Sequence, residues 1–151
     1  MTIKIEALTR FPIKGLSGQL LESVTLDAGQ GFPGDRRFGF ARPNSGFDPA
    51  APKPLPKARF YMLARDASLA LLGNEYDENT GMLTLSTPDR SASFDIGTAD
   101  GKMAASEFLQ DYLCLPDEDS PQLFEASPHR FTDVSVDSAE MMNAVSIINR
   151  D

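Results

Sequence analysis

Apolar and polar residues alternate along several short stretches of this chain, as they do in half-buried β-strands. The alternation predicts strands at five places, residues 2–7, 20–26, 38–40, 92–96 and 122–125. Asn79-Thr80-Gly81 is typical of a tight turn and predicts a hairpin that joins residues near Glu75-Tyr76 to a strand over 82–86.

Two stretches have helical periodicity instead. Residues 102–115 place apolar side chains at positions i, i+3, i+4, i+7 and i+8 and are followed by Pro116, which predicts an amphipathic helix. A shorter helix is expected over residues 66–72, with Asp66 as its N-cap and Gly73 just beyond its C-terminus. The chain is therefore expected to be mainly β with two short α-helices.

Turn-forming residues fit this assignment, since the sequence has 11 Gly and 11 Pro. Five of the prolines fall within residues 42–57, which predicts a long exposed loop. A last apolar run, residues 144–148, has little sequence after it to pack against, and the tail over 129–151 is expected to be frayed or loosely docked.

Charge and cysteine content narrow the classes of function. The net charge of −8 argues against nucleic-acid binding, which needs a dense cationic face. The first 50 residues are nearly neutral, with six Lys/Arg against five Asp/Glu. No apolar stretch is long enough to span a membrane, and the single cysteine excludes an internal disulfide framework. A cytoplasmic location is expected.

Three segments, in order, resemble the N-terminal β-barrel domain of MOSC proteins, a family associated with the molybdenum cofactor. They are Phe11-Pro12-Ile13-Lys14-Gly15, then residues 31–38 with the sequence GFPGDRRF, then residues 56–63 with the sequence PKARFYML. Residues 131–133 and 144–149 resemble the entry into the MOSC domain proper. The resemblance implies a β-barrel domain over residues 1–128 and, over 129–151, a linker with the first segment of a MOSC domain.

The resemblance also implies a function. The barrel would cover one side of a molybdopterin site, in a protein that reduces N-hydroxylated compounds or transfers sulfur. The cofactor-holding cysteine of the family lies in the downstream MOSC domain, so this chain alone is expected to be inactive. The implied partners are that MOSC domain and a redox protein. A link to pyridoxal phosphate comes only from the family's sulfurases, and no lysine here has a recognisable aldimine context.

Four residues are carried over from the family as cofactor contacts: Lys14 and Arg36 most directly, Gly15 and Arg37 less so. Lys14 lies in a loop next to a glycine, and Arg36 follows a glycine-rich turn, so both can present donors to a phosphate. The two cations are expected to converge on one mouth of the barrel. The alternative is a solvated Lys14 and an Arg36 paired at the surface with Asp35, Asp48 or Glu6.

Other reactive residues are given structural roles. Asp35 is expected to form a turn or orient an arginine. Cys114 adjoins the apolar helical stripe and is expected to be buried, and His129 has no ligand-spaced neighbours, so no metal site is expected. Gly29, Gly31 and Gly34 match a dinucleotide fingerprint by letter, but no helical pattern follows them. The main alternative function is a stand-alone β-barrel module that binds a small anion or a protein without catalysis.

Overall fold

The computed structural model describes residues 4–131, which fold into eight short strands and one α-helix. The strands are β1 (Leu8–Arg10), β2 (Ile13–Lys14), β3 (Gln19–Leu21), β4 (Phe38–Ala41), β5 (Gly73–Asp77), β6 (Met82–Ser86), β7 (Ser91–Asp95) and β8 (Gln122–Glu125). The helix α1 spans Ala99–Tyr112, and three 3₁₀ turns span Lys57–Arg59, Ala67–Leu71 and Asp117–Asp119. The mainly β prediction is confirmed.

The described strands form three sheets that do not close into one continuous cylinder. Strands β1 and β3 make an antiparallel ribbon, and β5, β6 and β7 make an antiparallel meander. In the central sheet β4 lies between β2, which is parallel to it, and β8, which is antiparallel. The hairpin predicted around residues 79–81 is the β5–β6 connection, with Gly81 at a φ of +73°.

Two predictions for the first strands were wrong in their positions. Residues 4–7 are not in a strand, and Ile5 is 72% exposed, so the first alternation does not mark a buried face. The strand expected over residues 20–26 is β3, which spans Gln19–Leu21 and so includes only the first two residues of that region. The residues that form a strand here are those that hydrogen-bond between β1 and β3. Alternation of apolar and polar residues does not show which residues will find such a partner.

The helix predictions also need correction. Helix α1 begins at Ala99, earlier than expected, because the Thr98 hydroxyl accepts a hydrogen bond from the Gly101 amide at 3.0 Å and caps the first turn. It ends at Tyr112. The predicted helix over 66–72 is a 3₁₀ turn, Ala67–Leu71, and the following glycine opens β5. One α-helix is therefore present in the described residues where two were expected.

The two faces of the central sheet contact different apolar clusters. Phe38 and Phe40 on β4 join the larger cluster, which extends to the β5–β6–β7 meander and α1. Ala41 points to the opposite face, where a second cluster contains Phe47, Phe60, Ala126 and Phe131. Alternation along one strand thus positions two separate cores.

The proline-rich loop runs past the second cluster. Residues 42–56 contain no helix or strand, as predicted, but the loop is not exposed throughout, because Phe47 is buried between the rings of Phe60 and Phe131. Within residues 4–131 no helix is long and apolar enough to cross a membrane. The tail expected to be frayed over 129–151 is packed at its start, since His129 and Phe131 are buried; its remainder, residues 132–151 with the apolar run at 144–148, lies outside the described residues.

Candidate functional site

Lys14 is buried in the second cluster, with only 2% of its surface exposed. Its Nζ atom lies 5.9 Å from the centre of the Phe60 ring and 3.5 Å from the carbonyl oxygen of Phe131. The neighbouring β4 residue is Gly39, where a Cβ atom would lie 3.1 Å from the Phe131 ring. The interpretation of Lys14 as a solvated surface lysine is wrong. Burial of an ammonium group costs free energy unless polar or aromatic groups surround it. The Phe131 carbonyl and the Phe60 ring provide such surroundings for Lys14.

Gly15 turns the chain directly after that lysine. It has a φ of +79°, and an added Cβ atom would lie 2.7 Å from the carbonyl oxygen of Tyr61 and 2.9 Å from the Cα atom of Met62. Both obstacles are main-chain atoms and cannot rotate away. Only glycine fits here without strain, because the φ is positive and no space is left for a Cβ atom. The close approach also fixes the position of the Lys14 backbone against residues 61–62.

Arg36 and Asp35 form a unit at the end of the glycine-rich turn. The Arg36 guanidinium contacts the Asp35 carboxylate and lies 5.2 Å from the centre of the Phe11 ring. The other Asp35 oxygen accepts a hydrogen bond from the Phe11 amide at 2.7 Å. Asp35 thus orients an arginine, as expected, and the alternative pairing of Arg36 with Asp35 is present.

Lys14 and Arg36 meet the main chain of one residue, Phe131. The Phe131 amide donates to the Arg36 carbonyl oxygen at 2.8 Å, while the Phe131 carbonyl accepts from the Lys14 ammonium. The Phe131 main chain therefore contacts both residues, the Arg36 contact being made by its main-chain carbonyl, while the two charged ends lie against different aromatic rings. Convergence of both charged ends on one bound anion stays a prediction.

Arg37 belongs to a different group of charges. Its guanidinium is 2.6 Å from the Glu125 carboxylate and 3.8 Å from that of Glu78. Glu78 in turn binds the buried Arg10 at 2.6 Å. These side chains link β1, the residue that precedes β4, the β5–β6 turn and β8. Arg37 therefore faces carboxylates at this position, and its predicted cofactor contact remains untested.

His129 and Arg130 approach the same region, although sequence reasoning assigned neither of them to the site. The Arg130 Nη1 atom donates to the carbonyl oxygens of Phe32, at 2.6 Å, and Asp35, at 2.9 Å. His129 is buried between Phe47 and Phe131, with ring centroids at 5.6 and 5.2 Å. No local sequence signal marks either residue, because only the fold returns this segment to the glycine-rich turn.

No metal centre is found within the described part of the chain: no three His, Cys, Asp or Glu residues are grouped as ligands there. Cys114 is exposed, so its predicted burial was wrong. The helix ends at Tyr112 and Cys114 adopts a φ of +52°, so the helical spacing on which the prediction was based does not extend to Cys114.

Burial of His129 lowers its pKa and makes stability depend on pH. A histidine that is harder to protonate in the folded state stabilises the fold above the unfolded-state pKa of about 6.5, and this contribution falls as the pH drops below that value. We expect His129→Phe to reduce the loss of unfolding free energy between about pH 7 and pH 5. Urea unfolding of both proteins at the two pH values measures this. Equal losses in the variant and the parent would show that the pKa of His129 is the same in the folded and unfolded states.

Comparison with known proteins identifies one family. A family model described as MOSC N-terminal beta barrel domain matches residues 2–118. No curated protein and no solved structure matches the chain.

Proposed function

Because the chain belongs to the MOSC N-terminal β-barrel domain family, we propose that it covers one side of a molybdenum-cofactor site in a larger protein. A MOSC domain would supply the residue that holds the metal. Lys14 and Arg36 would contact the anionic phosphate of the cofactor. When bound, the cofactor supplies electron-transfer chemistry at its metal. The full protein would reduce N-hydroxylated compounds with a redox partner, or take part in sulfur transfer, in the cytoplasm.

The observation that supports the proposal is that the Lys14 ammonium and the Arg36 main-chain carbonyl both contact the main chain of Phe131, so the two residues lie in one region of the fold. A phosphate is recognised by cationic donors in fixed positions, and an arginine gives two parallel donors where a lysine gives one point charge. The lysine is held in an aromatic environment with little water. An ion pair formed there is screened less than one at the surface.

The donor set fits the phosphate part of such a cofactor. Asp35 pairs with Arg36, and the Arg36 side chain stays 28% exposed. Gly15 contributes through its backbone, since it allows the turn after Lys14 to pack against the main chain of Tyr61 and Met62. Arg37 is the weakest member of the predicted set, because the Glu125 and Glu78 carboxylates already surround it.

A titration of the whole chain with inorganic phosphate and with a pterin phosphate tests the proposal. We expect concentration-dependent amide chemical-shift changes at Gly15, Arg36 and Phe131, with tighter binding of the pterin phosphate. Lys14→Met should weaken binding about tenfold or more, because a charge-assisted contact is worth about 1.5–3 kcal/mol.

Matched variants at exposed cations provide the controls. Lys4→Met and Arg65→Gln change the same net charge at exposed positions and should leave binding within about twofold, since an exposed charge contributes little. Equal affinity of the Lys14→Met variant and the parent chain for the pterin phosphate would refute the site. Equal affinity for the two ligands would instead favour the alternative of a simple anion-binding module.

A further inference from the structure

A small cavity lies against Lys14 beneath the proline-rich loop. It has a volume of about 10 Å³, enough for no more than about one water molecule. Its walls come from two cations and several apolar groups: Lys14, Pro54, Leu55, Phe60, His129, Arg130 and Phe131. A phosphate is several times larger than water, so it cannot enter while the loop holds this position.

The segment that closes this cavity is attached mainly by one side chain. Leu55 is half-buried and packs against the second cluster. Among the described residues, 52–55 make no hydrogen bond to any other part of the chain. Two of these four residues are prolines and have no main-chain N–H to donate. Lifting the segment would therefore break apolar contacts of Leu55 and no main-chain hydrogen bonds.

We propose that Lys14 and Arg130 form the two cationic walls of a phosphate site, and that Pro54-Leu55 is a strap that closes over it. The proposal rests on the proposed function and adds a residue and a gate to it. Arg130 lines the cavity together with Lys14, and its Nη1 atom donates to the carbonyl oxygens of Phe32 and Asp35. The turn that orients Arg36 through Asp35 thus also positions a second arginine near Lys14.

The affinity of the site for phosphate depends on the fraction of molecules in which the strap is closed. A ligand that binds only the open form binds more weakly by the fraction of molecules that are open. Removing the Leu55 anchor raises that fraction and tightens binding without any new contact. Removing the charge of Arg130 weakens binding in the open form and leaves the strap unchanged.

Phosphate titrations of the Leu55→Ala and Arg130→Gln variants, followed at the Gly15 and Phe131 amides, test both parts. We expect Leu55→Ala to bind inorganic phosphate about fivefold more tightly than the parent chain. Arg130→Gln should bind about tenfold more weakly, and Arg130→Lys should recover part of the loss because it keeps the charge. Circular dichroism and thermal unfolding of each variant establish that it is folded.

Leu71→Ala and Arg65→Gln are the matched controls, since Leu71 is 72% exposed and Arg65 is exposed as well. Neither should change the affinity. Equal affinity of Leu55→Ala and the parent would overturn the strap, and equal affinity of Arg130→Gln would overturn the second cation. Absence of a response at Gly15 and Phe131 in both the parent and Leu55→Ala would instead overturn the phosphate site itself. A response in Leu55→Ala alone would support the strap, because the parent is then closed.

Discussion

Replacement of Gly15 by alanine is expected to destabilise the protein by about 2–4 kcal/mol, from left-handed backbone strain together with overpacking. The φ of +79° opposes any side chain, and the new Cβ atom would meet the main chain of residues 61–62 at less than 3.0 Å. The turn that holds Lys14 would have to move. Urea unfolding at neutral pH measures the change in the free energy of unfolding.

Gly46 is the control for this prediction. It has a φ of +78°, but a Cβ atom added there would have no other atom within 4 Å. Gly46→Ala should therefore cost only the backbone term, about 1–2 kcal/mol. Equal losses in Gly15→Ala and Gly46→Ala would mean that the contact with residues 61–62 has no energetic effect and that the turn adapts freely.

Replacement of Phe38 by alanine is expected to cost about 3–5 kcal/mol, the usual range for deletion of a buried phenylalanine. Phe38 is 1% exposed and packs edge-to-face on Tyr76, with ring centroids 5.0 Å apart. The centre of the ring also lies 5.5 Å from the guanidinium of Arg37. Its removal therefore opens a cavity between the central sheet and the meander. Chemical denaturation measures the loss.

Two further variants serve as comparisons for the loss of stability in Phe38→Ala. Phe38→Leu keeps most of the apolar volume and should lose much less stability than the alanine variant. Leu71→Ala removes a side chain that is 72% exposed, and its effect should stay within about 0.5 kcal/mol. A Phe38→Ala loss no larger than that of Leu71→Ala would contradict the assignment of Phe38 to the core.

The elements that the sequence predicts well are those whose signal is local. The β5–β6 hairpin follows from Asn79-Thr80-Gly81, because these residues tolerate a tight turn whatever the rest of the chain does. Helix α1 follows from its apolar stripe, although its start depended on the Thr98 cap. The first alternation failed at Ile5, since period-two spacing shows what a strand needs but does not supply a partner for it.

The site is less predictable because its parts are distant in sequence. The family motifs identify Lys14 and Arg36, yet they do not indicate that Lys14 is buried among aromatic rings. That environment needs Phe60 and Phe131, which approach only after β2, β4 and β8 have paired. Arg130 and Leu55 enter the cavity for the same reason. A motif can name residues of a site, but their burial and neighbours depend on tertiary structure.

The place of β4 between β2 and β8 has a consequence for synthesis of the protein. A ribosome delivers β2 and β4 early, whereas Leu123, the partner of Phe40, is made much later. Until then one edge of β4 presents unpaired main-chain groups that can template association with other chains. The nascent polypeptide therefore exposes this edge of β4 to association until β8 has been synthesised and pairs with it.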